Sequence, residues 1–349
     1  MRRSPRRVRR RLAAVACAVV VLALALALPV AHAGFSAVTD NRGDAWATDQ
    51  LSPPSGLVAS QTCSPPPTIG FRAAATNATG TGSVSLAIPA GTVAGDLLVA
   101  QVAHLSGATA LTTPAGWTLV RSDTSGTAVT SALYRKAATA AEPSATFALP
   151  VGSTVRMAGG IAAYSGVSST VPVDAHDGVA GFGKTPFAPS VTTTTADTVL
   201  VRLITNASTS FPEPAGTTLR WRITMSGCTA GLTASDEPFL GPGTAPQRSA
   251  GATGSTDSYG IGQTVALRRA PGTPSAVLSW TPSPSSWATG YRGERIVAGT
   301  VQASRTVPFG TTTVTDAGLV NGTTYTYRIW AYRGTWVSPA VTTTLTPSC

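Results

Sequence analysis

The sequence predicts an all-β protein in which one β-sandwich is interrupted by another. Three observations predict it. Beyond the first 33 residues the chain has few charges and much Gly, Pro, Thr and Ser. Apolar alternation recurs in short segments, bounded by Gly, Pro, Asp and Ser clusters. No segment carries a helical apolar stripe of useful length. At 349 residues there is chain enough for two or more domains.

Arg2, Arg3, Arg6, Arg7, Arg9, Arg10 and Arg11 precede an apolar run from Leu12 to Leu28, followed by Pro29 and the Ala31–Ala33 stretch AHA. A basic head, an apolar centre and a small-residue site are the parts of a secretory signal peptide, so residues 1–33 are expected to leave by cleavage between Ala33 and Gly34. The 17-residue run is at the short edge of a membrane span, which keeps an uncleaved anchor as the alternative. The net charge of +10 shrinks to +3 beyond residue 33, where 18 basic residues face 15 acidic ones. No basic stripe remains to hold phosphates, which argues against a nucleic-acid partner. Residues 34–51 form a leader, and its GFSAVTDNRGDAWATDQ resembles the mature start of secreted proteins of high-GC Gram-positive bacteria. Arg outnumbers Lys 23 to 2, in keeping with such a genome.

The far end carries the clearest pattern. Residues 275–347 contain AVLSWTPSPSSWATGYRGERI and TTTVTDAGLVNGTTYTYRIWAYRGTWVSPAVTTTLTP. Alternation at Val277–Ser279 and Tyr325–Trp330 turns one face of each segment to a core. These motifs resemble a fibronectin type III domain. The resemblance makes Trp280 the core tryptophan, Tyr291 the third-strand tyrosine, and Leu319 and Tyr325 the leucine and corner tyrosine. Asn321 stands where the family usually has Pro, and Asn tolerates the same turn. The first strand of such a domain is missing from this stretch. PPSGLVASQT supplies it far upstream, with Pro54, Leu57 and Ala59. Residues 52–64 and 272–349 therefore form one discontinuous domain, close to the roughly 100 residues of such a sandwich. Residues 65–271 are an inserted domain, entered through SPPPT and left through RRAPGTP.

Within the insert, strands are expected at Ser83–Ile88, Leu97–Ala103, Trp117–Arg121, Ala128–Arg135, Ala145–Leu149, Gly160–Tyr164, Thr198–Ile204, Thr217–Ile223 and Gln263–Arg268. AGDLLVAQV near Asp96 is echoed by TADTVLVRL near Asp197, and PAGWTLV at Pro114 by PAGTTLR at Pro214. The offsets are 101 and 100 residues, and EPSATF at Glu142 with EPFL at Glu237 is a looser third pair. Nearly equal offsets predict a duplicated half, with the two halves expected to share one sandwich rather than close separately. GDLL, PAGWTLV, LYRKAATAAEP and AAYSGV resemble jelly-roll-like domains of secreted and phage-derived bacterial proteins. That resemblance implies a fold and names no ligand.

Chemistry is sparse. His104 follows a strand-like run and reads as a core or edge position. His176 stands between Asp174 and Asp177, a set that could hold a metal but reads more simply as a polar loop, since no second cluster adds ligands. No nucleophilic triad, carboxylate pair or phosphate-binding glycine loop can be argued, so no catalytic residue, metal or cofactor is expected. Trp287 and Trp336 lie in or near turns, where an indole can stack on a sugar ring or anchor a partner, although a ring folded over the core edge gives the same letters. Three cysteines follow the signal segment. The resemblance places the first and last strands side by side, which implies a Cys63–Cys349 disulfide and leaves Cys228 unpaired. The resulting expectation is a secreted or cell-surface, non-enzymatic interaction or envelope protein, its partner an extracellular polysaccharide or protein. Alternatives are an accessory polysaccharide-binding protein linked to secreted glycoside hydrolases, or a membrane-tethered stalk.

Overall fold

The computed structural model describes residues 50–183, 185–208, 211–250 and 257–349. The signal segment, its Ala33–Gly34 cleavage point and all but the last two leader residues lie outside the described residues. In chain order the strands are β1 (Ser55–Cys63); then β2 (Gly70–Thr81), β3 (Ser83–Leu86), β4 (Leu97–His104), β5 (Thr118–Ser125), β6 (Val129–Ala137), β7 (Ala145–Ala148) and β8 (Arg156–Ser165). Next come β9 (Val173–Gly183), β10 (Phe187–Ala188), β11 (Val191–Thr193), β12 (Thr198–Asn206), β13 (Thr218–Thr224), β14 (Gly231–Phe239), β15 (Gly243–Ala245), β16 (Arg248–Ser249) and β17 (Ser258–Leu267). The chain ends with β18 (Pro274–Thr281), β19 (Gly290–Val297), β20 (Thr300–Pro308), β21 (Thr313–Asp316), β22 (Tyr325–Arg333), β23 (Trp336–Val337) and β24 (Val341–Leu345).

The outer sandwich packs sheet β1-β18-β21 on a second sheet in which β20-β19-β22 continues to β23 and β24. This is a fibronectin type III-like arrangement. β1 pairs antiparallel with β18 across the whole insert, Ala59 opposite Leu278 and Val58 opposite Ser279. The pattern of inward apolar residues explains the pairing, since it faces Leu57 and Leu278 into the core of Trp280, Tyr291 and Ile329. Leu51, at the end of the leader, is also buried in that core. Trp280 meets Tyr291 edge-on at 5.5 Å, a geometry that the ring quadrupoles favour. The Tyr291 hydroxyl accepts from the Ser283 backbone N–H at 2.9 Å. Leu319 and Tyr325 close the other end of the core. The Tyr325 hydroxyl accepts from the Val320 N–H at 2.9 Å, a corner that pins the turn before β22. Tyr325→Phe keeps the ring and removes only that bond. It is expected to cost about 1 kcal/mol in denaturant unfolding, and an unchanged midpoint would show that water replaces the hydroxyl.

The insert is stitched at its neck. The Ser64 N–H donates to Thr273 O at 2.9 Å and Ala270 N–H to Gly166 O at 2.8 Å, while Arg269 Nε donates to Pro67 O at 2.8 Å. The disulfide joins Cys63 to Cys349 beside this neck. Gln61 and Ser348 exchange two hydrogen bonds of 2.8 Å next to it.

The insert contains two halves with the same strand order. The first is β2-β8-β4-β6-β5, and the second, read from its own first strand, is β9-β17-β12-β14-β13. Both carry a bulge at the same place, between Leu119 and Arg121 in β5 and between Leu219 and Trp221 in β13. Small two-stranded covers lie on one face of each sheet: one, β3-β7, on the first, and two, β10-β16 and β11-β15, on the second. The uncovered faces pack on each other through Val99, Leu133 and Tyr164 on one side and Val201, Leu203 and Trp221 on the other. Each half is a five-stranded sheet with its own small cover, and the two halves share a central core. All eight residues of β4 are buried, because both of its faces are covered. Gly160 marks the closest approach, where a Cβ would stand 2.6 Å from the Trp221 ring.

The expected segments omit three long strands, β2, β9 and β14, and the short β10, β11, β15 and β16. The letters of the long three, GFRAAATNATGT, VDAHDGVAGFG and GLTASDEPF, carry Asn, Asp, Gly and Pro in place of alternating β-branched residues. The loop reading of His176 is corrected with them, since it lies on edge strand β9 opposite Val265. The loose Glu pairing also dissolves, for Glu142 precedes β7 while Glu237 sits within β14.

Candidate binding surface

Trp287 and Trp336, 49 residues apart in sequence, meet at the pole of the outer sandwich away from the insert. Trp287 lies in the connection from β18 to β19. The Ala288 N–H donates to Ser285 O at 3.0 Å, and the Ser285 N–H to Ser283 Oγ at 3.1 Å, so a short turn fixes the ring. Chain entry braces the same loop: Ser52 N–H donates to Ser285 Oγ at 3.0 Å, and Ser283 Oγ donates to Ser52 O at 2.6 Å. Trp336 starts β23, behind the hairpin tip at Gly334, whose φ of +56° suits glycine. The two indoles are perpendicular, with centroids 6.1 Å apart. Trp287 is half-buried against the core, whereas Trp336 is 61% exposed.

Arg333 completes the site. Its Nη1 donates to Trp287 O at 2.9 Å, and its guanidinium stands 5.6 Å over the Trp287 ring. It forms no ion pair among the described residues, so its charge remains available. Together Trp287, Arg333, Gly334, Thr335 and Trp336 line an open cleft of about 460 Å³. Two indoles and a cation suit a planar or polyhydroxylated surface, an apolar face with polar edges. Sequence reading named both tryptophans but not Arg333. The signal was its place in RGTW, three residues before Trp336.

The histidines and Asp174 are engaged structurally. His104 is fully buried; its Nε2–H donates to Thr109 O at 3.1 Å and Nδ1 accepts from Ser106 Oγ at 2.9 Å. Burial lowers its pKa, against the Thr109 carbonyl, which favours the protonated form. Asp174 faces away from His176 and caps the β11–β12 turn, accepting from Thr194 N–H at 2.6 Å and Thr195 N–H at 3.2 Å. Burial pushes its pKa up, but these donors outweigh burial and hold it below the usual range. His176 instead meets Arg121 Nη1 at 3.5 Å, with Asp177 3.6 Å from the same guanidinium. Among the described residues no three His, Cys, Asp or Glu side chains are grouped to hold a metal ion. Cys228 is free and half-buried. Gln101, Ser131, Thr205 and Gln263 form a buried network across the two halves, ending at Asp123, which Arg121 holds. Buried networks of this kind favour one register, although Gln101 Oε1 has no partner among the described residues.

No family model and no curated protein matches the chain. Among solved structures it is similar to a two-domain fibronectin type III segment of chicken tenascin, at 18% identity over 50% of this chain and 99% of that one, with a TM-score of 0.20. It is also similar to the FN1–FN3 domains of chicken CNTN1, at 13% identity over 82% of this chain and 99% of that one, again with a TM-score of 0.20. The strand order itself carries the fold: three strands on a five-stranded sheet, with β1 and β18 joined across residues 65–271.

Proposed function

We propose that the chain is a secreted, non-enzymatic surface-interaction protein that binds its partner through the Trp287–Trp336 pole. The observation that supports this reading is the perpendicular indole pair, Trp336 exposed and Trp287 half-buried, with Arg333 beside it and in no ion pair among the described residues. Half-buried Tyr332 and Trp330 also carry a cation, Arg292 at 4.5 Å and Arg328 at 5.6 Å, but only at Trp287 does a second indole join the ring and its cation among the described residues. The insert, with its two packed halves, holds this pole at one end of the molecule. Between the two extracellular partner classes, a polysaccharide is favoured by the same pair, because perpendicular indoles offer a flat face and an edge to a sugar ring.

Retention on a panel of insoluble polysaccharides tests the reading. Trp336→Ala is expected to lower affinity about tenfold, as loss of a central aromatic contact does. Its melting temperature should stay unchanged, since the ring is mostly exposed. Equal retention of the parent and of Trp336→Ala on every polymer that binds would sink the proposal. N-terminal sequencing of the secreted form checks the address, with Gly34 expected first. An intact Met1 would favour the tethered stalk.

A further inference from the structure

The outer sandwich has a gap between its sheets. It measures about 330 Å³ and is bounded by Leu57, Leu278 and Val314 from one sheet and Val307 and Ile329 from the other, with Trp280 at its wall. Its cause is visible in the sequence of β19 and β20. The inward positions there run Tyr291, Gly293, Arg295 on β19, opposite Val307, Arg305, Ala303 on β20. Gly293 and Ala303 stand where a closed sandwich carries large apolar side chains. A Cβ added at Gly293 would meet only Arg328 O, at 3.6 Å. The inward residues Ala303 and Arg305 are consequently exposed. Glycine inside a strand commonly marks a place where another molecule approaches.

The gap is also short of hydrogen-bond acceptors. Trp280 is 6% exposed, and its Nε1–H has no partner. Arg295 Nε is buried and likewise unpaired, although its Nη1 donates to both Asp316 oxygens at 3.0 and 3.2 Å. The two acids at the gap are committed: Asp316 to Arg295 and Tyr327, Glu294 to Arg328. Arg305 has only a carbonyl partner, Thr315 O at 3.3 Å, and no ion pair among the described residues. A buried donor without an acceptor needs an explanation, and here two such donors and a spare cation border one apolar space.

We propose that this gap is a binding pocket for a small amphipathic monocarboxylate, its apolar body between the sheets and its carboxylate supplied to these donors. An apolar wall with few placed polar groups is the usual make-up of a small-molecule site. The site is separate from the Trp287–Trp336 cleft and does not depend on its role.

Sodium decanoate is the probe, with 1-decanol as the uncharged comparison, titrated into the full-length secreted protein below micelle formation. The readouts are calorimetry and the indole N–H resonances, with that of Trp280 assigned through Trp280→Phe. Decanoate is expected to bind saturably at one site, shift the Trp280 resonance and raise the melting temperature. Ala303→Phe fills the gap and should weaken decanoate at least about tenfold. Arg305→Gln, at an exposed side chain, should weaken decanoate by a similar factor while leaving decanol unchanged. Absence of saturable binding, undiminished binding by Ala303→Phe, or a shift confined to Trp287 and Trp336 would each overturn the proposal. If Ala303→Phe does not fold, the decanoate–decanol contrast in Arg305→Gln decides alone.

Discussion

Replacing Cys63 and Cys349 by serine is expected to destabilise the outer sandwich by up to about 4–5 kcal/mol while leaving the unfolding of the insert where it is. The bond spans 286 residues, with Cα atoms 5.8 Å apart, yet the relevant loop is shorter. The neck contacts at Ser64–Thr273 and Arg269–Pro67 hold the two ends of a folded insert together. When the outer sandwich unfolds around it, the disulfide therefore confines the segment beyond Thr273, roughly 80 residues, and the chain-entropy estimate applies to that length. Two contacts survive the substitution and reduce the loss. Gln61 still clasps Ser348, and the Cys349 backbone N–H still has Asn321 Oδ1 at 2.6 Å. Calorimetry of parent and double variant should show one transition falling and one fixed. If both fall together, the two domains unfold as one unit. If neither moves, the C-terminus is held by its hydrogen bonds alone.

What was legible in the sequence follows from how each core is built. The outer sandwich is closed by single large residues at characteristic spacings, Trp280, Tyr291, Leu319 and Tyr325, and each leaves a recognisable letter. The separation of β1 from β18 was legible for the same reason, since a first strand without a partner and a domain without a first strand point to each other. The insert is harder. Its inner strands are buried on both faces, so alternation fades, and some buried positions are polar: Gln101, Arg202, Thr205 and Gln263. The echo of 101 residues located the repeat but missed its faces. Val99 and Val201, which both face the central core, are 102 apart, whereas Leu200 lies under the outer cover. A one-residue slip in a strand exchanges its faces, so sequence spacing alone could not say which sides would meet. The Trp287–Trp336 cleft was half legible. Turn tryptophans were visible, but their meeting depends on the β19–β22 pairing of Gly290 with Tyr332, which brings the two loops to one pole.

Arg202→Met is expected to cost about 3–5 kcal/mol, the range for breaking a buried ion pair from one side. Arg202 is fully buried in the middle of β12, on the face that β4 fills with Ala100 in the first half. Its Nε donates to Glu237 Oε1 at 3.0 Å, its Nη1 to Pro189 O at 2.9 Å and Thr264 Oγ1 at 3.0 Å, and its Nη2 to Pro246 O at 2.9 Å. Pro189 joins β10 to β11 and Pro246 joins β15 to β16, so one guanidinium ties both small covers to the sheet beneath. Methionine nearly keeps the volume but supplies none of these donors: Pro246 O loses its Arg202 donor, while Pro189 O keeps only Thr264 Oγ1, at 2.7 Å. Glu237 keeps Arg248, whose Nη2 is 2.6 Å away, which limits the loss to this range. The pair also sets a pH dependence. Burial by itself raises the Glu237 pKa, but Arg248 and Arg202 outweigh it and hold the carboxyl below its ordinary value near 4.5. A depressed carboxylate stabilises the fold above that value and loses its contribution as pH falls through the folded pKa. The parent should therefore lose stability below about pH 4.5 more steeply than Glu237→Gln does. Denaturant unfolding of Arg202→Met at neutral pH, and of Glu237→Gln across the acid range, provides the measurement. A loss under about 1 kcal/mol for Arg202→Met would mean that water satisfies the Pro246 carbonyl, and the covers would then be held by the Thr264–Pro189 hydrogen bond and by Val191, Ala188 and their apolar neighbours.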